Sequence, residues 1–371
     1  MFKLERRYER SRYAGLLVTT GSLLAALLFC AVILALAGAN PWQTYVAMVK
    51  GAFGGKYEFS ETIVKAIPLM LCGLGVSVAF RMLFWNIGAE GQLAMGGFAA
   101  SGVALFVPQA FPNLPSWLLL PLMVVAGFVA GALWGMIPAL LKAYLKVNEI
   151  IVTLMMNYIA VLWVEYLFYG PWKDPKGYGF PGSALFTQAA WLPRWEGTRV
   201  HGGLIFAIVA AIAIWLILAR TKWGYEIRVI GENPTAARYA GISLARNILL
   251  VMLISGGLAG LAGMAEVAGI SHRLQKGLTV GYGFTAIIVA WLGKLNPGGV
   301  LVVAVLMAGL LVGGDQIQIT MGLPASVASI LQGSILFFML GGAFLTDFRV
   351  RWVSRARLPA APSLAKATPE E

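Results

Sequence analysis

Charge is scarce in this chain: 12% of its 371 residues are Asp, Glu, Lys or Arg, against 59% hydrophobic. Cysteine and histidine are scarcer, with two of each. Cys30 and Cys72 both fall inside long apolar runs, where a thiol packs as a small apolar group, so neither a disulfide framework nor a metal site is expected. His201 and His272 stand alone, without a carboxylate or cysteine at ligand spacing. No Gly-x4-Gly-Lys-Ser/Thr loop occurs; Lys294 follows Gly293 but lacks the upstream glycine and the hydroxyl neighbour. With no Ser/His/Asp or Cys/His arrangement either, the chain carries no catalytic residues, no metal and no cofactor of its own.

Long apolar runs are what the chain does have. Mean hydropathy is +0.78, and runs of about 20 residues match a hydrocarbon core of roughly 30 Å. Ten runs read as spans, at about 14–38, 61–80, 93–110, 116–140, 150–170, 202–219, 247–270, 283–294, 300–314 and 324–345, the eighth and ninth being short. The expected fold is therefore an all-α membrane protein of about ten transmembrane helices. A net charge of +12 in a soluble protein would point to nucleic acid; here the basic residues are sorted by loop, which sets membrane orientation. A cytoplasmic N-terminus assigns 19 of the 28 Lys and Arg to the inner side, and it puts the C-terminus there too. The run after Arg12 is too long for a signal-peptide core and reads as an uncleaved first helix, although Ala37-Gly38-Ala39 has the form of a cleavage site.

Three divisions follow: a cytoplasmic arm at 1–13, a transmembrane domain at 14–345, and a cytoplasmic tail at 346–371 whose Pro-, Ala- and Ser-rich end is of disordered composition. The external loop at about 171–201 is rich in aromatics, which suit either the membrane interface or a docking surface. Spans two to five and seven to ten have the spacing of an internal repeat. Steps such as Gly127-x3-Gly131-x3-Gly135 and Gly256-x3-Gly260 suit close helix packing.

Polar residues interrupt the apolar pattern in three places. Residues 85–92, Trp85-Asn86-Ile87-Gly88-Ala89-Glu90-Gly91-Gln92, put amides and a carboxylate beside the membrane with two helix-weakening glycines. They form either a cytoplasmic turn before the next helix or broken backbone lining a path. Asn148 and Glu149 read as the capped start of the fifth span, whereas Asn157, about two turns further, either bonds to a neighbouring helix or lines the path. Trp85, Tyr158 and Phe284 would add aromatic surface to an amide-lined route for an uncharged polar solute. Glu266 is either a pore acid or the outer end of span seven; Glu165 is the other acid away from turns. The third place is cytoplasmic: Gly231-Glu232-Asn233-Pro234-Thr235-Ala236-Ala237-Arg238-Tyr239-Ala240-Gly241 reads as a short helix capped by Asn233, with Pro234 in its first turn and Gly241 at its end.

These motifs together, with residues 148–160, resemble the permease subunits of bacterial ABC importers for nucleosides, within the wider group of ribose and branched-chain amino-acid permeases. The resemblance spans about 14–345. It implies an inner-membrane, multi-pass subunit without enzyme activity, ATP and Mg being bound and hydrolysed by a partner ATPase. It also implies a second permease forming a heterodimer, a periplasmic or lipid-anchored substrate-binding protein, a nucleoside cargo, contact with membrane lipid, and no nucleic-acid partner. Gly231, Glu232, Asn233, Pro234, Ala236, Ala237, Arg238, Tyr239, Ala240 and Gly241 correspond to the coupling helix. Asn86, Glu90 and Gln92 fall in the segment where sugar permeases carry Asp-Leu-Ser-x-Gly, a pattern absent here. A simple-sugar permease is the nearest alternative, and an ion-coupled secondary transporter a more distant one.

Overall fold

The computed structural model describes residues 2–6, 12–324 and 326–352. The rest of the expected arm and tail lies outside the described residues. Thirteen helices are described: α1 (Arg12–Leu36), α2 (Pro41–Phe53), α3 (Lys56–Arg81), α4 (Ala89–Ala110), α5 (Ser116–Leu145), α6 (Glu149–Tyr169), α7 (Gly203–Arg220), α8 (Lys222–Glu232), α9 (Pro234–Tyr239), α10 (Leu244–Glu266), α11 (Tyr282–Leu292), α12 (Pro297–Met321) and α13 (Ser326–Asp347). Seven of them, α3 to α7, α10 with its π-helical extension to Ser271, and α12, are long and apolar enough to cross a membrane. Counting α1 with α2 as one broken span makes eight.

Of the two spans expected to be short, the ninth is not, since α12 runs 25 residues; the eighth is, for a geometric reason. At about 1.5 Å per residue, the 11 residues of α11 cover about 16 Å, half of a hydrocarbon core. The sequence reading passed over α2 because its run is short and begins at a cap: Asn40 Oδ1 accepts from Trp42 N and Gln43 N, with Pro41 in the first turn.

One element departs from an all-α fold. Residues 2–6 (β1) and 348–352 (β2) pair antiparallel, Phe2 opposite Trp352 and Arg6 opposite Phe348. Both segments alternate apolar and charged residues, a period of two that suits a strand rather than a helix. The chain divides into two compact units, Asn40–Ser329 and a smaller one drawn from Met1–Ala39 and Ile330–Glu371. Within the smaller unit, Phe29 and Phe338 rings meet at 5.8 Å.

In the larger unit α3 and α10 form the centre, α10 packing on α3, α4 and α5, and α12 on α2 and α3. The glycine steps are where helices meet. A Cβ at Gly96 would stand 2.2 Å from Gly260 Cα, one at Gly131 2.3 Å from Gly256 O, and one at Gly263 1.9 Å from Leu93 O. The backbones of α4, α5 and α10 are thus in contact, and no side chain fits between them.

Candidate functional site

Residues 82–88, between α3 and α4, are non-helical and mostly buried. Backbone here cannot be left unpaired inside a membrane protein, so side chains complete it. Asn86, wholly buried, donates from Nδ2 to Gln92 Oε1 at 3.0 Å and to Ser255 Oγ at 2.9 Å. Its Oδ1 accepts from Gly88 N and from Gln92 Nε2, both at 3.0 Å. Asn157 clamps the same stretch from α6, accepting from Gly91 N and donating to Ile87 O, each at 2.8 Å. Thr153 Oγ1 accepts from Ile87 N at 3.3 Å. Asn86, Gln92 and Asn157 are therefore brought together, and Asn157 bonds across to α4 and to the break.

Glu90 belongs to a different contact. Its carboxylate accepts from Gly281 N at 2.7 Å and Gly283 N at 2.5 Å, closing the first turn of α11. A carboxylate at a helix N-terminus meets both the free N–H groups and the positive end of the helix dipole. Gly281 permits the turn into α11 with φ +89°. Upstream, residues 271–281 form a second break, after the π-helical turn Val267–Ser271. The external loop backs it with main-chain bonds, Ser183 N to Leu274 O at 2.8 Å, Phe186 N to His272 O at 2.8 Å and Leu192 N to Ala268 O at 3.0 Å.

The expected aromatics do not converge on these residues. Tyr158 is 59% exposed and Phe284 41% exposed. Successive helical residues point about 100° apart, so a residue following an inward Asn157 cannot share its face. Trp85 stacks on Trp291, centroids 5.8 Å apart, at an open cleft of about 440 Å³ that also exposes Arg81, Arg228 and Lys294.

The cleft adjoins the segment 231–241. Asn233 Oδ1 accepts from Thr235 N and Ala236 N, both at 3.0 Å, Pro234 opens α9, and Gly241, at φ +76°, ends it. Arg238, Ala240 and Tyr239 are exposed, Tyr239 at 90%, whereas Ala237 faces inward and is buried. Gly231 lies so close to α3 that an added Cβ would stand 1.9 Å from Arg81 O. Trp223 Nε1 donates to Asn247 Oδ1 at 2.7 Å and Asn247 Nδ2 to Glu226 Oε2 at 2.9 Å, tying α8 to α10.

Sequence reasoning missed two ion pairs of the larger unit. Lys65 pairs with Asp315 and Arg199 with Glu61, the latter at 2.9 Å. Each is a single charge in or beside an apolar run, and the partners are far apart in sequence, so no local motif announces them; the signal available was a charge inside a span. His201 is wholly buried, with Nδ1 accepting from Gly203 N at 3.2 Å and no partner on Nε2. Burial, followed by the charges of Arg194, His272 and Arg199, lowers its pKa to about 4. Burial and Arg194, whose Nη2 is 2.6 Å from His272 Nε2, also lower that of His272. Among the described residues no group of three His, Cys, Asp or Glu is placed to hold a metal.

A bundle with interrupted helices, paired charges inside spans and a short exposed helix between spans is the build of a membrane transport component. Residues 59–340 match the family described as branched-chain amino acid transport system / permease component, and the chain belongs to that family. It is 38% identical to the guanosine ABC transporter permease protein NupP of Bacillus subtilis, over 88% of this chain and 94% of that one. It is 37% identical to the glucose ABC transporter permease protein TsgB13 of Haloferax volcanii (89% and 88%) and 30% identical to the nucleoside ABC transporter permease protein NupB of Lactococcus lactis (90% and 90%). The chain is an ABC transporter permease subunit, a transport component and not an enzyme.

Proposed function

We propose that this permease moves nucleosides inward across the bacterial inner membrane by alternating access. The observation that carries the reading is the 38% identity to the guanosine permease over nearly its whole length, joined by the nucleoside permease of Lactococcus lactis. The buried amides and the few free charges suit a neutral polar cargo. Ten membrane segments, including the short α11, with both termini cytoplasmic, account for the basic residues gathered on one side. The working division remains an arm at 1–13, a permease domain at 14–345 and a tail at 346–371.

ATP and Mg belong to a separate ATPase, a second permease completes a heterodimer, and a periplasmic or lipid-anchored binding protein delivers solute. The ATPase docks on α9, with the basic cleft of Arg81, Arg228 and Lys294 beside it as a surface for acidic groups. A push on α9 travels through α8 to α3 by the Gly231 contact and to α10 by Asn247. Both helices border the break at 82–88, so the push ends where the chain is interrupted.

In proteoliposomes holding the assembled transporter, guanosine uptake should require ATP; full uptake without the ATPase would sink the reading. Because Ala237 is buried, the docking face is tested at Tyr239. Tyr239→Arg should abolish ATP-driven uptake without altering thermal stability, and unchanged uptake removes α9 from the interface. Glucose is the second reading, favoured by the 37% identity to the Haloferax volcanii permease; competition of guanosine uptake by excess glucose would select it.

A further inference from the structure

The outer end of α10 opens on a cavity of about 320 Å³ lined by Arg199, Glu266, Ser271, Arg273, Gln275 and Gly277. A second cavity of about 260 Å³, bounded by Glu165 and Thr279, shares Gln275, Gly277 and Leu278 with the first. Ligand clefts run from about 300 to 1,000 Å³, so the pair, divided only by the chain at 275–278, has the size of a small solute's route. The first cavity is polar. Arg199 is already bound to Glu61, which cancels its charge and fixes its guanidinium.

Glu266, like Glu165 at the second cavity, differs from the paired acids of this region. Glu61 and Asp315 have cationic partners, and Glu90 is held by backbone N–H groups. No hydrogen bond or ion pair to Glu266 is found among the described residues, and its side chain lines the cavity. A carboxylate at the edge of a membrane bundle without a protein partner needs donors from whatever occupies the space beside it. It offers two acceptor oxygens side by side and no donor. Two adjacent hydroxyls on one solute satisfy both at once, as a single hydroxyl or an apolar ring edge does not.

We propose that Glu266 binds the vicinal diol of the incoming solute, with Gln275 and Ser271 as further polar contacts, and so makes the permease itself select hydroxylated cargo. The chemical class is a neutral solute bearing two adjacent hydroxyls. The proposal rests on the hydroxylated-cargo reading, which a ribonucleoside and a hexose share, and not on the choice between them.

The test compares guanosine with 2′-deoxyguanosine in proteoliposomes of the whole transporter, with the same binding protein throughout. Glu266→Gln should lower guanosine uptake about tenfold and deoxyguanosine uptake less than about threefold, so the preference collapses. Glu266→Asp should keep the preference at a lower rate, since it keeps the carboxylate. Equal losses for both solutes, or an unchanged ratio, overturn the proposal. If wild type carries glucose rather than guanosine, the nucleoside reading fails and the same comparison is made with methyl glucoside and methyl 3-deoxyglucoside, which has no two adjacent hydroxyls.

Discussion

The two interruptions of the bundle, at 82–88 and at 271–281, face the same physical demand and meet it in opposite ways. The first is closed by side chains: Asn86 from the break itself, Gln92 from α4, Asn157 and Thr153 from α6, Ser255 from α10. The second is closed mostly by main chain from the loop at 171–201, with two side chains, Ser183 through its hydroxyl on Leu274 N and Glu90 through its carboxylate. Side-chain closure ties several helices to one point, with an open cleft only at its Leu83 and Trp85 flank. Main-chain closure leaves cavities on both sides of residues 275–278. In the proposed orientation the first is the inner break, tied to several helices, and the second the outer break, flanked by room for something else.

The harshest way to break that contrast is Asn86→Leu. It strands polar groups of Gln92, Ser255 and Gly88 in a dry site, each costing about 1–3 kcal/mol, for a total of about 4 kcal/mol. Folded protein should be lost or its thermal midpoint fall sharply; an unchanged midpoint would remove the inner break as a lock. Acid should act on the other side. The His201 ring fills the space above Gly269, where a Cβ would stand 2.6 Å away. Its neighbours Arg194, His272 and Arg199 are all basic or titrate to cations.

With the folded value near 4 and the unfolded one near 6.5, the unfolded chain takes up the proton first. Stability is therefore complete above pH 6.5 and declines toward pH 4, by about 3 kcal/mol over the whole interval. Hydrogen exchange at pH 4.5, corrected for intrinsic rates, should rise at 267–281 and not at 84–92. Equal changes in both segments would contradict the division.

Glu90 connects the two regions, and Glu90→Gln sharpens the distinction between them. One of the Gly281 and Gly283 N–H groups would then face an amide nitrogen, at a cost of about 2 kcal/mol. Exchange should increase at the start of α11 while the Asn86 network stays protected, and loss of both together would make them one unit. The mildest change is Gly281→Ala, which asks an alanine to hold φ +89° and should cost about 1 kcal/mol, read as a small drop in thermal midpoint with the inner break unaffected.

The inner break was legible because its polar residues are adjacent in sequence and sit between apolar runs. Its partner Asn157 was visible as an amide two turns into a span, though not the bond it makes. The outer break was legible only at Glu266, an acid inside an apolar run: Glu61 and Arg199, like Lys65 and Asp315, come from distant stretches and pair only in the fold. Hydropathy also failed to separate inside from outside. The apolar windows of α3 and α6 have similar hydropathy, 2.0 and 1.8, yet 89% of one and 28% of the other is buried. In a lipid solvent an apolar residue is content on either side, so periodicity carries little information. Tyr158, expected on the path, is exposed on the isolated chain. The cap, proline and glycine of α9 were readable because they are local backbone chemistry.

The backbone contact of α4, α5 and α10 at Gly96, Gly131, Gly256, Gly260 and Gly263 has a mechanical consequence. Interlocked side chains act as gear teeth, and any slip between helices must first lift them out of their holes. A glycine seam has no teeth. It resists being pulled open, because broad main-chain surfaces touch, but it offers little friction to motion along its length, the shear that packed helices undergo in domain movements. The three helices then form a plain bearing. Gly131→Leu would jam it as a pebble jams a slide, stopping transport even where the assembled protein still reaches the membrane.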